Sequence, residues 1–148
     1  MIGRALYTIL RSIPELTDIE VSPLRTYETL KMPSVTYLIL SVDPTSIKKT
    51  VSPLDEVSFV IDIFSKDYGQ TEILGAAVRT KFDRLCGIFS DIKFQSTEFA
   101  GESYGYDEGA EVYAVSFNFV SRVDKLYDAG TYDYSNLDYS ALDYFVNV

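Results

Sequence analysis

Val57-Ser58-Phe59-Val60-Ile61-Asp62-Ile63-Phe64-Ser65-Lys66-Asp67-Tyr68-Gly69-Gln70 opens a stretch, running on to Gly87, that decides how the chain folds. Val57, Phe59, Ile61 and Ile63 recur at every second position, the period that sends side chains to one face of a strand. That face is core. Ser65 to Tyr68 breaks the alternation, and Asp67 with Gln70 three residues on has the spacing of a capping box, in which an acidic N-cap accepts backbone N–H bonds and Gln70 reaches back. The spacing predicts a helix from there. Ile73, Leu74, Ala77, Val78, Phe82, Leu85 and Cys86 form its apolar stripe, Arg79, Thr80, Asp83 and Arg84 its other side, and Gly87 the left-handed residue past its end.

Outward from this unit, Ile2, Leu6, Ile9, Leu10 and Ile13 mark a first helix that Pro14 closes, packed on the same sheet. Ile19 and Val21 suggest a short edge strand, and Pro23 and Pro33 bracket an irregular link. Ser34 to Val42 reads as a strand apolar on both faces, so its second face needs a partner. Asp43-Pro44-Thr45-Ser46 starts a loop to Pro53, longer than a tight hairpin needs. Its Lys48 and Lys49 are either a solvated tip or a contact site. Ile92, Phe94 and Ser96 alternate as a half-exposed strand, and Glu111 to Arg122 is a further strand with Tyr113, Val115, Phe117 and Phe119 on one face. Between them Gly101 to Gly109 is an acidic turn whose Glu102, Asp107 and Glu108 do not follow the ligand spacing of an EF-hand, so it reads as a solvated hairpin tip.

At 148 residues the chain is one domain's worth and can bury a core without disulfides or metals. Hydrophobic residues make up 47%, which argues for a globular body, while no apolar run approaches the ~18 residues of a membrane span. The N-terminus turns amphipathic and lacks a cleavage site, so no signal peptide is expected and the chain reads as cytosolic. The single Cys86 cannot form an intrachain disulfide and is expected in the core rather than as a nucleophile. With no histidine, His-based acid–base catalysis, Ser-His-Asp and Cys-His systems and most zinc sites drop out. A net charge of −9 disfavours binding to a bare phosphate backbone.

Residues 127–148 differ from the rest. All thirteen basic residues precede Tyr127 and four of the twenty-two acids follow it, so the body carries −5 and the tail −4. Asp128, Asp133, Asp138 and Asp143 recur every five residues, with Tyr132, Tyr134, Tyr139, Tyr144 and Phe145 among them. That period fits neither helix nor flat strand. Two readings stand: an arm that orders on its own body or on a neighbouring subunit, or a disordered extension. The aromatic density favours the arm, since tyrosine is a favoured interface anchor. The expected organisation is an α+β body over 1–126, with a mainly antiparallel sheet of about four to five strands and two helices on one face, and an extended C-terminal arm over 127–148.

The order of these elements carries a resemblance. The N-terminal helix, Met32-Pro33-Ser34-Val35-Thr36-Tyr37, the long loop, Val60 to Tyr68, the helix with Ala76-Ala77-Val78-Arg79, and Val112 to Phe119 together resemble the tail-completion or tail-terminator proteins of long-tailed bacteriophages, over residues 1 to 125. The tail departs from that family's usual ending. The resemblance implies a small structural virion protein, assembled in the host bacterial cytoplasm, whose copies form a ring of roughly six or more that caps the tail tube and joins it to the neck. It implies other neck and tail proteins as partners, no cofactor, no enzyme activity, no membrane, and DNA passing through the lumen unbound. Lys48, Lys49, Tyr132, Tyr134, Tyr139, Tyr144 and Phe145 are the candidate subunit contacts. A neck adaptor ring or minor tail-tube protein is an alternative within that class. A monomeric module taking a peptide or small ligand on its sheet is an alternative outside it. A carboxylate enzyme such as a glycosidase is a third class, but nothing in the sequence positions the two acids it needs.

Overall fold

In a computed structural model of the chain the described residues are 2–23, 31–47 and 50–124, with 45–47 and 50–53 described by backbone alone. Lys48 and Lys49 and the stretch 125–148, which holds the whole expected arm, lie outside them. The first element is helix α1 (Ile2–Arg11), which buries Ala5, Leu6, Ile9 and Leu10, one stripe of a 3.6-residue repeat. Pro14 ends it by opening a 3-10 turn, Pro14–Leu16. The Arg11 guanidinium then donates to the carbonyls of Leu16 at 3.2 Å, Thr17 at 2.9 Å and Ile19 at 2.8 Å, gathering the turn that leads into the sheet.

Six strands follow: β1 (Glu20–Pro23), β2 (Ser34–Ile47), β3 (Thr50–Ser65), β4 (Gly87–Phe89), β5 (Ile92–Asp107) and β6 (Val112–Asp124), with helix α2 (Tyr68–Phe82) after β3. Their order across the sheet is β1-β2-β3-β6-β5-β4, with β1 parallel to β2 and every other pair antiparallel. Register sets the core. Ile39, Phe59, Phe119 and Phe99 lie side by side across four strands, as do Tyr37, Ile61 and Phe117 across three. Phe59 is fully buried, its ring 5.5 Å from Phe119 and 5.6 Å from Phe82 of α2. Buried Thr97 and Ser121 satisfy each other on this face at 2.7 Å. Both helices cover it: α2 lies on β3, β6 and β5, while α1 touches β1, β2 and also β4 at the far edge, so the sheet curls round it.

The second face carries Leu38, Ser58, Val60, Asp62, Ser116, Asn118 and Val120, all half-buried. A smaller apolar cluster of Phe64 and Val112 lies apart from the main core, with Met32, Ala110 and Ala114 against it. At the β1–β2 seam the Ser22, Ser34 and Thr36 hydroxyls are buried without a hydrogen-bond partner among the described residues.

Several expectations are corrected. The sheet has six strands rather than four to five, and β1 makes it mixed. The loop expected from Asp43 to Pro53 is instead a long β2–β3 hairpin, because Asp43↔Glu56 and Pro44↔Asp55 continue the ladder. Likewise most of the expected acidic turn is strand: Glu102 pairs with Phe117 and Tyr106 with Tyr113, and the turn itself is only Glu108 to Glu111. Glu111 takes the left-handed conformation there (φ 56°), and Asp107 accepts the Ala110 N–H at 3.1 Å.

On α2, Asp67 is the N-cap and accepts from the Gly69 N–H at 3.0 Å. Gln70 reaches back through Ser65, whose hydroxyl donates to Gln70 at 2.6 Å and accepts from the Asp67 N–H at 3.0 Å. The buried stripe is Thr71, Leu74, Gly75, Val78 and Phe82, which leaves Ile73 65% exposed rather than core. Arg84, not Gly87, takes the left-handed position after the helix (φ 60°), and its N–H bonds Thr97 of β5 at 3.1 Å. Gly87 starts β4 instead. Cys86, past the end of α2, is exposed, not a core residue.

Candidate functional site

Among the described residues no group of three or more Cys, Asp or Glu side chains is placed to hold a metal. Surfaces are what the sequence suggested, and three stand out. The first is an open strand edge. β1 covers β2 only from Ser34 to Tyr37, so among the described residues no strand pairs with Leu38 onward on that side. From Leu38 to Val42 its side chains are apolar except Ser41, with Leu40 55% and Val42 45% exposed beside a bulge between Ile39 and Ser41. An uncharged, apolar edge is the kind that natural sheets ordinarily blunt or cover. The first proline is Pro44, which has no N–H to offer a ladder.

The second surface is the opposite edge. β4 pairs with β5 only from Ile92 to Phe94, which leaves Gln95 to Tyr106 without a further strand among the described residues. Here Tyr104 is 64% and Tyr106 50% exposed, the Tyr106 ring lies 4.6 Å from Tyr113, and Tyr113 lies 5.5 Å from Tyr68 at the start of α2. A hydrogen bond to Glu72, then the charge of that carboxylate, raises the Tyr68 phenol, while partial desolvation and then Glu102 raise Tyr104. The Tyr68 and Tyr104 phenols therefore stay neutral at physiological pH. Beside them a hollow of about 280 Å³ runs between α2 and β5, lined by Thr71, Gly75, Arg79, Glu102, Tyr104 and Phe117. Arg79 sits 4.1 Å over the Phe99 ring and 4.0 Å from Glu102, a cation held between an aromatic face and a carboxylate.

Third is the sheet face turned away from the helices. At its centre Asp62 accepts a hydrogen bond from the Ser116 hydroxyl. Burial raises its carboxyl above the ordinary range, and the Ser116 bond only partly offsets this. Its cross-strand neighbours Thr36 and Ser116 are short and polar, and among the described residues on this face no second acid stands opposite it.

Of the residues expected to make contacts, Lys48, Lys49, Tyr132, Tyr134, Tyr139, Tyr144 and Phe145 all lie outside the described residues. The tyrosine cluster that is described, Tyr68, Tyr104, Tyr106 and Tyr113, belongs to the body. The signal for it was present: Tyr104 and Tyr106 are two apart, hence on one face of any strand through them. The two flanking glycines made that stretch read as a turn.

No family model matches the chain, and no curated protein does. Among solved structures it is similar to a chain of the structure described as the virion of a native gene transfer agent (GTA) particle, with a TM-score of 0.65 and 18% identity, over 80% of this chain and 91% of that one. At that identity the likeness establishes the fold: the α+β body with its two helices and curled sheet is an architecture that a virion-borne chain also adopts.

Proposed function

We propose that the chain is a structural virion protein of a phage-like particle, whose copies close a ring at the neck or tail and terminate or join the tail tube to the head–tail connector. The observation that carries this reading is the fold shared with a chain of a virion particle along nearly the whole of that chain. The surface is consistent with it. A subunit that works by association needs two different patches meeting head to tail, and the apolar β2 edge and the aromatic β5 edge are such a pair. In this reading the chain has no catalysis of its own and its partners are copies of itself and other neck and tail proteins. DNA passes the lumen unbound, repelled by a body of net charge −5 and a tail of −4.

Negative-stain imaging of the purified chain, alone and with its tail-tube partner, tests the reading: rings with a countable number of subunits are expected. A chain that stays monomeric at micromolar concentration with that partner present refutes the ring and favours the peptide-binding module, for which an open strand edge is also suited. A neck adaptor or minor tube protein is separated from a terminator by where the ring binds, at the connector or along the tube.

A further inference from the structure

The two open edges have opposite polarity. From β2 to β5 the sheet takes three steps, β2 to β3, β3 to β6 and β6 to β5, each antiparallel. β5 therefore runs against β2, and a neighbour related by rotation about a ring axis presents its β5 antiparallel to this copy's β2. We propose that copies join by strand pairing, the Leu38–Val42 edge of one taking the Gln95–Tyr106 edge of the next, so that one sheet continues from subunit to subunit. This rests on the ring reading and names its contact.

Charge and obstruction select this pairing over the others. Gln95–Tyr106 carries Glu98 and Glu102, so two β5 edges would meet acid to acid. Leu38–Val42 itself carries no charge, and the next acid along that strand is Asp43. β1 blocks the Ser34 end of one edge and β4 the Ile92 end of the other. Level with its own position in the sheet, Gly101 would face Leu38 and the Tyr104–Tyr106 end would meet β1; a strand displaced along β2 brings that end to Leu40 instead. Such a stagger is what tilted strands need in order to close round an axis. Tyr104 and Tyr106 then come beside the exposed Leu40 and Val42 as aromatic anchors, tyrosine being enriched among the residues that dominate binding energy.

Sedimentation velocity on the full-length chain and two edge variants tests this. Leu40→Lys with Val42→Lys charges one edge, and Tyr104→Lys with Tyr106→Lys charges the other; all four side chains are substantially exposed, and far-UV circular dichroism checks each fold. Each variant alone is expected to sediment as a monomer where the wild type assembles, with the association weakened at least about tenfold. An equimolar mixture, retaining one intact edge on each partner, is expected to stop at a heterodimer. Should the β2 variant fail to fold, the β5 variant alone still decides; should the β5 variant fail, the single change Tyr104→Lys takes its place. Assembly unchanged in either variant overturns the pairing while leaving the ring reading intact, and loss with the β2 variant only points to a symmetric β2–β2 dimer instead. Assembly that needs only residues 127–148, by deletion, overturns it in favour of the arm. A wild type that never assembles overturns both.

Discussion

Gly75 is where α2 meets the sheet most closely, and replacing it sets two effects of known size against each other. A Cβ at this position would stand 2.9 Å from the tip of the Phe117 ring and 3.1 Å from its neighbouring carbon, closer than carbon atoms pack. Phe117 is 3% exposed and cannot swing outward. Alanine in a helix gains about 1 kcal/mol over glycine. Forcing a methyl against a packed ring costs about 1–3 kcal/mol. Gly69 of the same helix is the control: there a Cβ meets only Asp67 Oδ1 at 3.5 Å, ordinary contact, so Gly69→Ala keeps the gain without the clash. Gly75→Ala is thus expected to be less stable than Gly69→Ala by about 1–3 kcal/mol, or roughly 1 M in the urea midpoint. Far-UV circular dichroism during urea titration measures it. Trimming the ring, Phe117→Leu, is expected to make the two changes less than additive, by about 1 kcal/mol. If Gly75→Ala unfolds at the same urea concentration as Gly69→Ala or higher, the close approach of α2 to β6 is wrong.

Phe59→Ala, at a fully buried ring between Phe119 and Phe82, is expected to cost about 3–5 kcal/mol and lower Tm by on the order of 10 °C; calorimetry checks it. Asp62 binds its proton more tightly folded than unfolded, so its contribution is most favourable below the unfolded pKa and declines as pH rises through the raised folded one. Asp62→Asn, which can still accept from Ser116, is expected to be at least as stable as wild type at pH 7, with the advantage vanishing below pH ~4; urea midpoints across pH measure this, and a variant less stable at pH 7 refutes it. Cys86 is exposed and should react with a thiol reagent in the native state without denaturant; a thiol that labels only on unfolding contradicts its placement past α2.

The parts of the fold legible in the sequence are those where local pattern and tertiary environment agree. β3 and β6 sit in the middle of the sheet with one face under α2, so their alternation names the buried side correctly, Phe59 and Ile61 against Phe119 and Phe117. The start of α2 was visible because Asp67 caps by short-range bonds. Its buried stripe was legible in part: Leu74, Val78 and Phe82 are buried as expected, but counting apolar residues also selects Ile73, whereas the position that meets Phe117 must be as small as Gly75, and close packing outranked hydrophobicity there. The outer halves of β2 and β5 read as loops because Asp43-Pro44 and Gly101 to Gly109 are turn-forming in isolation. Pairing with β3 and β6 holds them extended all the same, a contact that no local window contains. Three-residue β4 is too short to carry a period. The tyrosines expected to make contacts lie outside the described residues, and the tyrosine cluster that is described lies on β5, β6 and α2.

Three hydroxyls at the β1–β2 seam have no hydrogen-bond partner among the described residues, which bears on how firmly the first strand is held. Ser22 lies opposite Thr36, with Ser34 two residues away, and each buried hydroxyl that forgoes a bond to water costs about 1–3 kcal/mol. β1 is only four residues long and offers little to set against that cost. It is the strand expected to peel first, with amide protons exchanging well ahead of those in β3 and β6. Peeling exposes the rim of β2 back to Ser34; in the proposed ring that reserve of unsatisfied backbone is what a correct neighbour can capture during growth, and what a stray strand can capture when growth goes astray.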